Sequence, residues 1–256
     1  MVGARRGRGS VRDGRGLGLR RAGILRAVKT IGIIGGMSYH STAAYYLGIN
    51  DRVAAALGGH ASAQIIVDSV NFQQVRDLQV ADAWDAAGRL LAGHGKRLAA
   101  AGADGVAIAT NLMHKVAPAV AAAIDVPLIH IADAVAAQAI RAGITALGIL
   151  GTGWVMREDF YVEKLALHGI TGVKAPGEDA DLVDGIIFGE LTQGIVTDSS
   201  REALVGVIRR LQQAGAQGVL LGCTELDLII GQEVSPLPVI DSTAAHVVAL
   251  ADFVLG

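Results

Sequence analysis

A chain of 256 residues, 52% of them hydrophobic and with a mean hydropathy of +0.45, can bury roughly 70 to 75% of the surface it exposes when unfolded. That suits one large or two small α/β domains, and no apolar run reaches the roughly 18 residues of a membrane span. A formal net charge of -2 and a pI near 6.4 exclude a general electrostatic footprint for nucleic acid or an anionic membrane. The single cysteine excludes an internal disulfide framework and suits a reducing cytoplasm, while the apolar surplus belongs to the core or to a homodimer interface.

Residues 1–28 are rich in Arg and Gly with little to bury, so a disordered tail is expected there. The Arg pairs that begin at Arg5 and Arg20 invite a twin-arginine export reading, but Arg26 and Lys29 interrupt the apolar stretch such a signal needs. A basic arm, a solvated tail and an upstream-extended translation start are the other readings. Beyond Val28, short β-branched runs alternate with Ala-rich stretches, the pattern of βα units around parallel sheets. Strands are predicted at Thr30–Gly35, Ala63–Ser69, Gly105–Thr110, Pro127–Ile131, Ala146–Gly151, a short Gly172–Ala175, Gly218–Cys223 and Pro238–Asp241. Helical spacing of apolar residues marks Trp84–Ala101, Met156–His168 and Arg201–Ala214. A last apolar helix, Ser242–Leu250, is placed to cross back and brace the first half.

Three segments recur in order. AGADGVAIATN at Ala101 matches AGAQGVLLGCT at Ala214, TIGIIGGM at Thr30 matches ALGILGTG at Ala146, and VPLIHIADA at Val126 matches LPVIDSTAA at Leu237. Their offsets of 113, 116 and 111 residues are nearly constant, as a duplicated unit requires. The expected fold is therefore α/β with two pseudo-symmetric lobes, each a mostly parallel sheet flanked by helices. Residues 29–126 plus 242–256 form the first lobe, 127–241 the second, and the active site lies in the cleft between them.

Ligands of open parallel sheets sit beyond the carboxyl ends of the strands, where the distinctive residues gather: Gly35 to Ser38, Asp68 to Asn71 including Ser69, Thr110 and Asn111, Gly151 and Thr152, and Cys223 to Glu225. In the repeat register Thr110 stands opposite Cys223. A thiol at a strand end before a helix is expected to have its pKa lowered by backbone amides and the helix dipole. A carbon acid held between Cys223 and a second proton-transfer group would lose a proton to one side and regain it from the other, the geometry of a two-base racemase. The backbone amides of Asn111 and Thr224 would hold a carboxylate.

The chain resembles the aspartate/glutamate racemase family, within the group that includes hydantoin racemases, arylmalonate decarboxylases and maleate isomerases. The resemblance runs from about Lys29 to the C-terminus and rests on KTIGIIGGMS, TNxMHKV at Thr110–Val116, HIADA at His130, LGT followed by REDFY, and GCTE at Gly222–Glu225. It implies a cofactor-independent racemase of aspartate or glutamate, with no metal, whose catalytic pair is Thr110 and Cys223. Most of the family carries cysteine at both places, so Thr110 makes the two faces chemically unequal. The resemblance also implies substrate contacts at Met37, Gln79, Asn111, Leu112, Thr224 and Glu225, although Leu112 replaces a small hydroxyl residue common in the family.

His114, one helical turn beyond Thr110, is placed to reach back and orient its hydroxyl. For the distal carboxylate of an acidic substrate, Arg76 and Lys164 are the candidate cations, since Thr192 stands where some family members carry lysine. Trp84 and Trp154 read as packing residues. A lone cysteine at a buried strand end is ordinarily a small core residue; the repeat and the GCTE motif favour chemistry. Thr110 and Glu225 have cap readings of their own. No P-loop, GxGxxG, HExxH or zinc spacing is present. Two other functions use the same cleft: a decarboxylase or isomerase working through Cys223 alone, and a non-catalytic binder of an acidic amino acid.

Overall fold

The computed structural model describes residues 28–256; the Arg- and Gly-rich segment expected to be disordered lies outside the described residues except for Val28, which packs against the first lobe's core. The first half runs β1 (Thr30–Gly35), α1 (Tyr39–Leu57), β2 (Gln64–Ser69), α2 (Phe72–Val80), α3 (Trp84–Ala100), β3 (Gly105–Ile108), α4 (Ala117–Ala121), β4 (Leu128–Ile129) and α5 (Ile131–Arg141). The second runs β5 (Ala146–Gly151), α6 (Gly153–Arg157), α7 (Phe160–Ala166), β6 (Thr171–Val173), α8 (Gly177–Gly189), α9 (Asp198–Gln213), β7 (Gly218–Gly222), β8 (Val239–Asp241) and α10 (Ser242–Leu255).

Two four-stranded parallel sheets result, ordered β2-β1-β3-β4 and β6-β5-β7-β8. The orders are the same once each strand is matched to its repeat. The apolar runs of the central strands are explained by burial on both faces. Ile31, Ile33 and Ala107 point to a core shared with α10, whereas Ile34, Val106 and Ile108 point to a core shared with α3. In the second sheet Leu147, Ile149 and Leu220 face α5, and Leu150, Val219 and Leu221 face α8 and α9.

The sequence places a lobe boundary between residues 126 and 127, yet β4 lies beyond it and pairs with β3 in the first sheet. The repeat explains this, since the segment around β4 is the counterpart of the one around β8, and each supplies the strand beside its own β3-type partner. The helix after each such strand then packs on the opposite lobe. The core of α5 joins that of β5 and β7, while Val247, Leu250 and Val254 of α10 join Tyr45, Ile49 and Val53 of α1. Exchanged helices hold the sheets against each other and fix the cleft.

Some elements differ from their sequence-based expectation for local reasons. The helix expected over Met156–His168 is broken at Glu158, whose backbone is extended. Lys174 Nζ donates to both Arg157 O and Asp159 Oδ1 at 2.6 Å, tying the break down. Helix α9 starts three residues before Arg201 because Thr197 caps it, its hydroxyl accepting from Ser200 N at 3.1 Å. Gly36 has φ +90°, and a Cβ there would lie 2.3 Å from Val70 O, so the turn after β1 excludes any side chain.

Candidate active site

Both central strand pairs end at one cleft. Its cavity of about 230 Å³ is walled by Thr110 and Cys223 together, a volume suited to a ligand the size of an amino acid and below the usual range for drug-sized ligands. Thr110 lies two residues past the end of β3 and Cys223 immediately past β7. Met37, Gln79, Asn111, Leu112, Thr224 and Glu225 line the same cavity. Ser69 does not; it is exposed at the end of β2, its hydroxyl close to Gly36.

The lobes are linked across the cleft by hydrogen bonds. Asn111 Nδ2 donates to Ser242 Oγ at 2.9 Å, and Tyr161 OH donates to Asn111 Oδ1 at 3.0 Å. The side chain of this buried residue is thus held by Tyr161 of the second lobe and by Ser242 at the start of α10, whose Oγ donates to Leu221 O of β7 at 2.7 Å. Ser41 Oγ and Thr224 Oγ1 are 3.0 Å apart. Thr224 donates to Glu225 Oε2 at 2.8 Å, so Ser41 is the donor to Thr224.

Cys223 departs from its expected chemistry. Only a three-residue 3-10 turn, Leu226–Leu228, follows it, too short to supply a helix dipole of consequence. The thiol donates to Glu225 Oε2 at 2.9 Å. Although Cys223 opens partly onto the cleft, protein packed around it and then the Glu225 carboxylate push the thiol well above its ordinary range, with Asp184 adding to the effect. The resting side chain is therefore a thiol.

His114 also departs from expectation. Its Nδ1 lies 2.8 Å from Thr110 O, so the contact is with the backbone carbonyl, not the hydroxyl. A carbonyl only accepts, which makes Nδ1 the protonated nitrogen, and Nε2 accepts from Ile131 N at 3.2 Å. Burial, followed by neighbouring His130 and His246, holds the ring well below its ordinary pKa. His114 thus pins the turn that carries Thr110 to the start of α5.

Of the two candidate cations, Arg76 is in the cleft and Lys164 is elsewhere, paired with Asp133 at 3.1 Å in the wall of a separate cavity. Among the described residues Arg76 is the one Lys or Arg lining the cleft, Glu225 is its one carboxylate, and Arg76 makes no ion pair. The Arg76 guanidinium lies 5.4 Å from the Trp154 ring and 5.3 Å from Phe188, with Nη1 donating to Gln79 Oε1 at 3.0 Å. Trp154 is thereby a cleft residue rather than packing alone, whereas Trp84 packs under Lys115. Thr192 lines the cleft and donates to Phe188 O at 3.1 Å.

Sequence reasoning passed over Ser41, Phe188 and the side chain of Thr152. Thr152 Oγ1 is buried in the cleft wall without a hydrogen-bond partner, an unmet acceptor and donor that a ligand can satisfy. Its position in LGT after β5, the repeat of the Gly36 turn, was the available signal. Phe188 reaches the cleft only through the placement of α8, and no local pattern announces it. Among the described residues no cluster of three His, Cys, Asp or Glu is arranged to hold a metal ion, and no helix is long and apolar enough to cross a membrane.

Two duplicated parallel-sheet lobes thus place a hydroxyl and a thiol at equivalent strand ends around one small cleft, the arrangement of a two-lobed α/β fold. The Asp/Glu/hydantoin racemase family model matches residues 34–250, and the chain belongs to that family. The candidate Asp/Glu racemase of Yersinia pestis is 43% identical, with a TM-score of 0.85, over 89% of this chain and 100% of its own. An aspartate racemase homologue from Pyrococcus horikoshii is 32% identical, with a TM-score of 0.75, over 88% of this chain and 99% of its own. The aspartate racemase of Picrophilus torridus, at 22% identity and a TM-score of 0.67 over 88% of this chain and 94% of its own, is a likeness of fold. Family membership supports racemase-type chemistry on a small amino-acid substrate.

Proposed function

We propose that this protein racemises aspartate or glutamate by removing the α-proton on one face of the substrate and returning a proton on the other, without pyridoxal phosphate. The observation that carries the reading is the position of Thr110 and Cys223 at repeat-equivalent strand ends in one cavity. Cys223 is the principal acid/base. Thr110, whose hydroxyl does not ionise near neutral pH, works through a relayed proton. The backbone amides of Asn111 and Thr224 and the unmet Thr152 hydroxyl receive the α-carboxylate. Arg76, whose guanidinium lies over the rings of Trp154 and Phe188 and which makes no ion pair among the described residues, receives the side-chain carboxylate by charge-assisted hydrogen bonds. The names of the Yersinia and Pyrococcus relatives are consistent with an acidic substrate.

Exposed Tyr39, Tyr46 and Leu47 on α1 suit a homodimer contact, and a free thiol suits a reducing cytoplasm. Sedimentation at micromolar concentration tests the first point, and a monomer would refute it. The test of the reaction is loss of optical rotation from each enantiomer of the two amino acids in the absence of any added cofactor. A second reading is favoured by the resting thiol, which is a ready acid for one-sided protonation of a carbanion, as in a decarboxylase. Release of carbon dioxide from a substituted malonate, with no change in optical rotation of the amino acids, would establish that reading instead.

A further inference from the structure

The cleft shares a wall with a second, wider groove. Ser41, Thr224 and Glu225 line both, and the groove, of about 850 Å³, adds the charged residues Asp51, Arg52, Asp227 and Asp241. Glu225 Oε2 therefore meets the Cys223 thiol at 2.9 Å while the same residue borders an open groove. Its orientation is set by Thr224, which donates to that oxygen and is itself held by Ser41. Among the described residues no carboxylate other than Glu225 lines the cleft. The nearest ionisable side chain on the turn of Thr110, His114, has both nitrogens engaged by backbone groups and is almost fully enclosed.

We infer that Glu225 is the proton outlet of Cys223, a positioning residue that takes the thiol proton on Oε2 and releases it to water in the neighbouring groove. The S–H bond breaks as an O–H bond forms, the proton then passes to solvent, and no electrons change hands. The Cys223 face of the site consequently exchanges its proton with solvent through Glu225, a route the Thr110 face does not use. The coupling of thiol and carboxylate stands independently of the substrate; its effect on α-proton exchange rests on the racemase reading. The charged or titratable groups that line the cleft and groove around this pair, or act on its thiol, are Asp184 on α8, Asp227 and Asp241 in the groove, His40, Asp51 and Arg52 on α1 and Arg76 on α2.

Because Cys223 is the only cysteine in the chain, alkylation of the whole protein by iodoacetamide reports on this one thiol. In the substrate-free protein, Glu225→Gln removes the adjacent negative charge and raises the alkylation rate at pH 7.5 by at least about fivefold, whereas Glu225→Asp stays near the wild-type pH profile. An unchanged profile in Glu225→Gln overturns the inference.

In heavy water, Glu225→Gln places about tenfold less solvent deuterium per turnover in the product formed from the enantiomer whose α-proton faces Thr110, because Cys223 protonates that product; the product from its mirror image is unchanged, and Glu225→Asp restores the exchange. Equal loss from both enantiomers, which a merely structural defect would produce, also overturns it. If wild-type protein exchanges no α-proton from any of the four amino acids, the racemase reading falls, and the alkylation profile still decides whether Glu225 governs the thiol.

Discussion

Acid should loosen this protein well before its carboxylates protonate, through His246. This residue is 0% exposed. Tyr45 OH donates to its Nδ1, and its Nε2 donates to Ile129 O, both at 2.9 Å, which ties α1, α10 and β4 together. Burial brings its pKa down from 6.5 to about 4. Above 6.5 the ring is neutral in both folded and unfolded chains, and its contribution is fully present. As pH falls toward 4 the unfolded chain takes up a proton that the folded one refuses, so stability drops by about 1.4 kcal/mol per pH unit. At pH 5 that is about 2 kcal/mol from His246, a substantial part of the roughly 5 to 15 kcal/mol typical of a domain.

His130, also held at about 4, and His114 act in the same direction. Urea unfolding followed by circular dichroism at pH 7.5 and 5.0 measures the loss. In His246→Gln, which keeps a donor for Ile129 O, the pH dependence should flatten by about 2 kcal/mol over the same interval, and comparison with wild type cancels every other titrating group. Equal pH dependence in the two proteins would refute a neutral buried His246.

Thr110→Ala should slow interconversion of enantiomers by about a hundredfold while leaving deuterium exchange from the Cys223 side measurable by proton NMR; loss of both would give Thr110 more than the assisting role. Arg76→Met should raise KM for an acidic substrate by about ten- to a hundredfold, from the loss of a charge-assisted hydrogen bond of about 1.5 to 3 kcal/mol, whereas Lys164→Met should leave KM unchanged. Equal effects would show that the distal carboxylate is held elsewhere. Gly36→Ala should cost about 2 kcal/mol or more, because the new methyl meets Val70 O in a left-handed turn, and a melting temperature within a degree of wild type would contradict this.

The duplicated architecture was legible because the matched segments contain the buried central strands β1, β3, β5 and β7, whose uninterrupted apolar runs are dictated by burial on two faces. The equivalence of the edge strands β2 and β6 in the two sheets was not, since one is a half-exposed strand and the other has three residues. Helix α1 escaped notice for a related reason. Its buried stripe of Ser41, Tyr45, Ile49 and Val53 is a single row at i, i+4 spacing set among alanines and tyrosines that face outward.

Within the site, the residues adjoining the strand ends could be named in advance because the sheet itself delivers them to the cleft. The environment of Cys223 could not be inferred from the expected helix dipole. Burial of the thiol, and then the Glu225 carboxylate folded back onto it ahead of a short 3-10 turn, reverse the direction of the shift. Likewise the spacing of His114 from Thr110 was right for a contact, but the ring meets the backbone carbonyl. The aromatic clamp on Arg76 joins α2, α6 and α8, and no single stretch of sequence contains it.

The central claim is tested most directly by following the α-protons of L-aspartate, D-aspartate, L-glutamate and D-glutamate in heavy water by proton NMR, with wild-type protein and Cys223→Ala side by side and no cofactor added. Exchange accompanied by appearance of the opposite enantiomer is expected for at least one of the two amino acids, with its loss by a factor of about a hundred or more in Cys223→Ala. Exchange that persists in Cys223→Ala, or binding of these amino acids by wild-type protein with no exchange at all, would contradict that claim.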